Sequence, residues 1–283
     1  MISTRPDTSH LDALPTLGVG LGYRAELHDA ILAHADQIDF LELITEQFIR
    51  RSPEVRDRAL ALRERMPVIP HGVELSVGSA AGVGPAYLDH LARFVESTDA
   101  PWFSDHLAFT RVPGADLGQL TQLWFTEESL DVVCRNVAAV QERIGIPLLL
   151  ENITYYFALP GAEMNEAEFT TRALERTGCG MLLDVNNVHI NSLNLGFDPY
   201  AFLAQLPLER VVQIHLAGGV RVGPMIVDTH SSAVRDEVWD LLAFVLERAP
   251  VKGIILEWDQ DFPPFPVLLR HLERARTLLA AAR

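Results

Sequence analysis

Six hydrophobic runs in this 283-residue chain end in side chains able to bind a metal or move a proton. They end in Pro70-His71-Gly72, Ser104-Asp105-His106, Glu151-Asn152, Asp184-Val185-Asn186-Asn187, His215 and Glu257-Trp258. One polar residue closing such a run is ordinary, because a strand must surface somewhere. Six in succession, each carrying His, Asp or Glu, exceed what solvation requires. Asp228-Thr229-His230 adds an acid and an imidazole two residues apart, which an extended backbone turns to the same side. Imidazole with carboxylate and no thiolate suits iron, manganese or zinc better than soft copper sites. At least eight candidate ligands exceed the roughly six donors of one octahedral ion, so two or three metals sharing a carboxylate would use them. Glu151 lies midway along the series and is the expected bridge. After Asp184, the spacing leaves Asn187 and His189 as alternatives for one ligand position.

The runs themselves read as strands at 16–22, 38–43, 67–73, 101–107, 146–151, 180–185, 211–216 and 252–258. Their near-continuous Val, Ile and Leu content suits parallel strands covered on both faces. Between them, 53–65, 85–97, 127–143 and 231–248 repeat apolar residues at three- and four-residue spacing, the mark of helices. Strand–helix alternation with eight strands predicts an α/β fold closed as a single (β/α)8 TIM barrel, a class that typically runs to about 250 residues. Residues 1–283 form one domain in this reading, with 1–15 a flexible N-terminal extension. The stretches 78–84, 111–120, 186–198 and 217–229 read as loops after strands. In such a barrel all strand ends of one sense share one mouth, so the six polar termini form a ring there.

The remaining composition narrows the function. The formal net charge is −15, the Arg residues are scattered, and Lys252 is the one lysine, so nucleic acid is a poor partner. Cys134 and Cys179 form no CxxC and read as small buried hydrophobes. Gly18-Val19-Gly20-Leu21-Gly22 lacks the spacing of a dinucleotide fingerprint and reads as a closely packed first strand. No apolar run approaches the ~20 residues of a membrane span, and the polar N-terminus predicts a cytoplasmic protein. His10, His28, His34, His90 and His271 fall on helices or the N-terminus and read as surface or packing residues. Glu42 and Glu46 follow the second strand, as orienting partners of ligand histidines or as salt-bridged loop residues. Tyr155, Tyr156, Phe157, Trp124 and Trp258 line a substrate groove or simply pack.

The ordered segments PHGVELS (70–76), FSDHLAF (103–109), LLENI (149–153), LLDVNNVHIN (182–191), QIHLAG (213–218), DTHSS (228–232) and ILEWD (255–259) resemble the multinuclear non-heme iron-dependent oxidative enzymes, the family of the methanobactin-biosynthesis oxidase. The resemblance spans nearly the whole chain. It implies a barrel related to the xylose isomerase and endonuclease IV group, holding two or three irons of mixed Fe(II)/Fe(III) state. It places His71, His106 and Glu151 on one iron, Glu151, Asp184, His215 and Glu257 on a second, and Asn187, Asp228 and His230 on a third. The family pattern has Asn three residues after the Asp, which favours Asn187; this chain carries His189 where that pattern has Tyr. The implied chemistry is O2-dependent modification of a ribosomally synthesised precursor peptide, with cysteine the usual target. It implies a separate small partner protein that recognises the leader segment.

Two rival enzymes use similar ligand rings. A trinuclear zinc phosphoesterase of the endonuclease IV kind would want a basic groove, which the charge opposes. A metal-dependent sugar isomerase would want a Lys or His beside the sugar hydroxyls, and no strand-end Lys is present. A metal-storage role is a third, non-enzymatic reading, disfavoured by open coordination positions at the barrel mouth.

Overall fold

Eight parallel strands close on themselves in a computed structural model that describes residues 7–282. They are Gly18–Gly22, Leu41–Ile44, Val68–His71, Phe103–His106, Leu148–Glu151, Gly180–Asp184, Val211–Leu216 and Gly253–Leu256. Each pairs with its neighbours in sequence, and the first pairs with the eighth, Gly18 opposite Gly253. The architecture is therefore a (β/α)8 barrel. Several strands begin later than their apolar runs. Pro67, Pro101 and Pro147 stand just before the third, fourth and fifth, and a proline has no N–H for the ladder.

The barrel interior is packed as its own layer. Phe40, Ile69, Trp102, Leu149, Leu182 and Ile255 fill it and are almost wholly buried. Gly20 makes room for this layer, since a Cβ there would lie 2.3 Å from the Phe40 carbonyl oxygen. Of the expected flexible extension over 1–15, residues 1–6 lie outside the described residues. Ser9–Asp12 is a helical turn whose Leu11 is buried against the start of the sixth strand. Leu11 thus packs under the interior layer at the N-terminal end of the barrel.

A larger apolar cluster lies between strands and outer helices. Glu127–Arg143 shows why these helices form. Thr126 accepts a hydrogen bond from Ser129 N, acids occupy the first turn, and Arg143 closes the last. Its buried residues Val133, Val137 and Val140 face the barrel.

Four segments differ from the sequence reading. The expected loop 186–198 is mostly a helix, Val185–Leu195, capped by the Asp184 side chain and ended by left-handed Gly196. It is buried on nearly every side, so no amphipathic period marks it. The loops 111–120 and 217–229 hold β-hairpins, Phe109–Val112 with Ala115–Thr121 and Gly219–Val222 with Met225–Asp228. The helix expected over 231–248 begins at Asp236, after the extended residue Arg235.

Candidate metal centre

Barrel register sets the candidate ligands abreast. His106 lies opposite Glu151, Asp184 opposite His215, and His215 opposite Ile255, two residues before Glu257. All stand at C-terminal strand ends and all are buried. One donor atom from each of His71, His106 and Glu151 lies within 4.8 Å of the others; the same holds for Glu151, Asp184, His215 and Glu257, and for Glu42, His71 and Glu257. Glu151, His71 and Glu257 each belong to two of these clusters, and Glu151 is the one shared by the first two.

Each imidazole is held by one nitrogen and presents the other. The His106 Nδ1–H donates to the Gly72 carbonyl at 3.1 Å, and His71 Nδ1 meets Ser104 Oγ at 2.9 Å. Their Nε2 atoms face Glu151 Oε2 at 3.1 and 3.4 Å. His215 turns Nε2 to Glu42 and Nδ1 to Glu151 Oε1 and Glu257 Oε2, at 3.0 and 3.1 Å. Burial pushes His106 down to about 4, so its ring is neutral at pH 7. Its Nε2 then sets a lone pair against the Glu151 carboxylate. Glu151 Oε2, Asp184 Oδ2 and His215 Nδ1 are buried without a hydrogen-bond partner. Imidazole nitrogens and carboxylate oxygens converging this closely fit a shared cation. The donor set fits a metal ion on that ground.

The electrostatics point the same way. Burial raises the Glu151 carboxyl, but His106, His215 and His71 outweigh it and hold the group below its ordinary range. Glu257 is likewise held well below, by His215 and His230 against burial. Asp184 is pushed well above by burial, then by Asp228 and Glu151. A cation among these carboxylates relieves that repulsion.

Asn187, Asp228 and His230 sit beside this group. Asn187 donates its backbone N–H to Asp184 Oδ1 at 2.7 Å and its amide to the Asn152 carbonyl at 3.0 Å, leaving Oδ1 buried and unpartnered. His189 is buried on the same helix, and the charged groups acting on it are Glu237 and Arg235. His230 Nε2 contacts Asp228 at 3.0 Å, but not through an extended backbone, since His230 is left-handed with φ 47°. Asn186 donates to Asp228 Oδ1 at 3.0 Å. Among the described residues, Asp228 and His230 join no cluster of three His, Cys or acidic donors. Their link to the main group runs through Glu257 Oε2, 3.5 Å from His230 Nδ1.

Several residues acquire roles that their types alone did not assign. Glu42, an acid inside an apolar strand, contacts His215 directly. Asp259 contacts His230 Nδ1 at 3.3 Å and is paired with buried Arg24. Glu46 accepts from the backbone of Val73 and Glu74, holding the loop that follows His71. Of the aromatic residues, Trp124, Tyr156 and Phe157 are exposed, whereas Trp258 is buried.

Tyr155 instead donates its hydroxyl to Glu166 at 2.6 Å. Burial pushes Glu166 up to about 7 from its ordinary 4.5. The folded chain thus binds this proton more tightly than the unfolded one. Stability from this group is full below pH 4.5 and is lost as pH rises to about 7. Glu166→Gln keeps an acceptor for Tyr155 and removes the ionisation. It should raise the thermal midpoint at pH 8 by about 2–4 °C, for a solvent-screened gain of about 1 kcal/mol. Thermal unfolding at pH 4.5 should show little difference; an equal gain at both pH values would refute the assignment.

The comparisons with known proteins agree with this geometry. Residues 18–280 match the model of the RiPP precursor modification enzyme family MbnB/TglH/ChrH, named for modifying the precursors of ribosomally synthesised and post-translationally modified peptides. A UPF0276 protein of Caulobacter vibrioides (strain NA1000 / CB15N) is 41% identical over 95% of this chain and 96% of its own length. Another, from Anaeromyxobacter sp. (strain Fw109-5), is 40% identical over 94% of each. In fold, the chain resembles 3-keto-D-glucoside 4-epimerase YcjR from E. coli, with a TM-score of 0.59 and 13% identity over 92% of this chain and 99% of that one. D-psicose 3-epimerase gives a TM-score of 0.54 at 13% identity, over 94% of this chain and 98% of that one. These neighbours are xylose isomerase-like barrels, and at such identities they speak to the fold alone. With the family model covering nearly all of the chain, this protein belongs to the MbnB/TglH/ChrH family of RiPP precursor modification enzymes.

Proposed function

We propose that this chain is a multinuclear iron-dependent, O2-using oxidase that modifies a cysteine of a ribosomally synthesised precursor peptide in the cytoplasm. The observation that carries the metal centre is the convergence on Glu151 of three histidine nitrogens and unpartnered carboxylate oxygens. His71, His106 and Glu151 would hold one ion, and Glu151, Asp184, His215 and Glu257 a second. Asn187, Asp228 and His230 stand beside them for a third. Iron held there supplies thiolate binding and redox reactivity toward dioxygen.

The protein's own part is placement and shielding. Ser104 and Gly72 hold the His71 and His106 rings, and the buried strand ends keep bulk water from the ligands. The rim suits a peptide. Trp124, Tyr156 and Phe157 are exposed on the loops after the fourth and fifth strands. A cavity of about 220 Å³ lies between Gly78, Ser79, Phe109, Val112, Leu123 and Trp124. A separate small protein that recognises the leader segment is the expected partner.

Metal analysis of protein purified without added metal, followed by Mössbauer spectroscopy, tests the centre. Oxygen uptake with a Cys-bearing precursor peptide and its partner protein tests the reaction. Iron in two or more environments and peptide-dependent oxygen uptake are expected. A zinc-only protein active on abasic DNA or a sugar would overturn the proposal.

A further inference from the structure

We propose that Trp102, Gln213 and Glu42 form a buried hydrogen-bond relay that dictates which nitrogen of His215 faces the metal. The inference rests on the metal centre proposed above, though not on its iron, oxygen or peptide chemistry. The four side chains come from three places in the barrel wall. Glu42 lies on the second strand, Trp102 immediately before the fourth, and Gln213 and His215 on the seventh. All are at most 2% exposed, so water does not compete for their hydrogen bonds.

The relay has a direction because its first member is a donor only. Trp102 Nε1–H donates to Gln213 Oε1 at 2.8 Å. That bond settles which end of the Gln213 amide is oxygen. The amide nitrogen therefore points the other way, and it donates to Glu42 Oε2. The Glu42 carboxylate lies 3.0 Å from His215 Nε2 through Oε1 and 3.1 Å through Oε2. An ionised carboxylate only accepts, so Nε2 carries the proton. Nδ1 is left with its lone pair toward Glu151 and Glu257 when a metal is bound.

One competing arrangement exists. Gln213 Nε2 is 3.2 Å from His215 Nε2 and could donate to it. Nε2 would then turn a lone pair on both Glu42 oxygens at 3.0 and 3.1 Å, acceptor against acceptor. The arrangement led by Trp102 avoids this. It also gives Trp102 a second task. As part of the packed interior layer it supports the fold, and through Gln213 it sets the polarity of a ligand in another strand. Trp102, Gln213 and Glu42 are positioning residues in this scheme.

The test uses the full chain loaded with zinc as a diamagnetic probe and labelled with 15N-histidine. Long-range 1H–15N spectra should show His215 protonated at Nε2 and metal-bound at Nδ1. Glu42→Gln and Gln213→Leu should each weaken zinc binding about 10–100-fold, measured by competition with a chromophoric chelator. Trp102→Phe should weaken it too, and the Trp102→Phe/Gln213→Leu double variant should bind no worse than Gln213→Leu alone. A purely structural Trp102 would give additive losses instead, which would overturn the relay. So would His215 bound through Nε2, or folded Glu42→Gln and Gln213→Leu proteins with unchanged affinity. Should Trp102→Phe not fold, the spectra of wild type and Glu42→Gln still decide. A wild-type chain that binds no metal overturns the centre and the relay together. Zinc binding with a normal relay but no peptide oxidation overturns only the proposed reaction.

Discussion

Replacing Glu151 with Ala should strip more than one metal ion from each chain, whereas Glu257→Ala should weaken the second cluster while leaving His71, His106 and Glu151 in place. The difference follows from membership. Glu151 supplies a donor atom to two clusters, and His71, His106 and His215 all aim at its oxygens. Glu257 also belongs to two clusters, but its second, with Glu42 and His71, is not one of the two proposed to hold an ion, and it is absent from the group of His71, His106 and Glu151. Breaking a buried charge pair commonly costs about 3–5 kcal/mol when the remaining charge has no other partner. Here His215 keeps Glu42 and Glu257, so the metal-free Glu151→Ala chain should still fold. Elemental analysis after anaerobic reconstitution and gel filtration measures the outcome, with circular dichroism as the folding control. Loss of one ion with the others intact would rule out the bridging role.

Gly72→Ala should cost about 1–3 kcal/mol of stability, and metal affinity with it. A Cβ at Gly72 would lie 2.1 Å from Asp105 Oδ2. Asp105 has nowhere to move. Its Oδ2 accepts from Leu75 N at 3.1 Å, its Oδ1 accepts from His106 N at 2.7 Å, and it is buried. The chain leaving the third strand must shift instead. That shift carries the Gly72 carbonyl, which holds His106 Nδ1–H. The ring can then rotate away from Glu151. Denaturant unfolding of the metal-free protein isolates the stability loss, and a separate zinc titration isolates the ligand effect. Gly145→Ala is the matched control, because nothing lies within 4 Å of its Cβ position. Its effect should stay within about 0.5 kcal/mol. Equal small effects at both positions would show that Asp105 can yield.

Much of this architecture is legible from one dimension because parallel strands advertise themselves. Leu148–Glu151 is apolar up to the ligand that ends it, and Val211–Leu216 is apolar but for Gln213 before its ligand, so strand and ligand can be read together. Register is not legible. That His106 stands opposite Glu151 and Asp184 opposite His215 depends on how eight strands stagger. The helix Val185–Leu195 hides for a different reason. Asn-rich and buried on nearly all sides, it shows neither high propensity nor a polar face. Asp228 and His230 are two apart, but a left-handed residue at 230 sets their geometry, and no spacing rule reports a φ angle. Glu42 is conspicuous as an acid inside an apolar strand. Its partners, Gln213 and His215, lie more than 170 residues away, and only the closed barrel brings them together.

The buried Leu11 turn packs beneath the interior layer, at the end of the barrel away from the ligand ring. In the proposed function, ions, dioxygen and peptide would all reach the ligands at the C-terminal strand ends. A segment lying across the mouth would hold the metals in as well as present itself to them. Under that proposal, metal loading would come before peptide binding. Metal exchange would then slow whenever a peptide occupies that mouth.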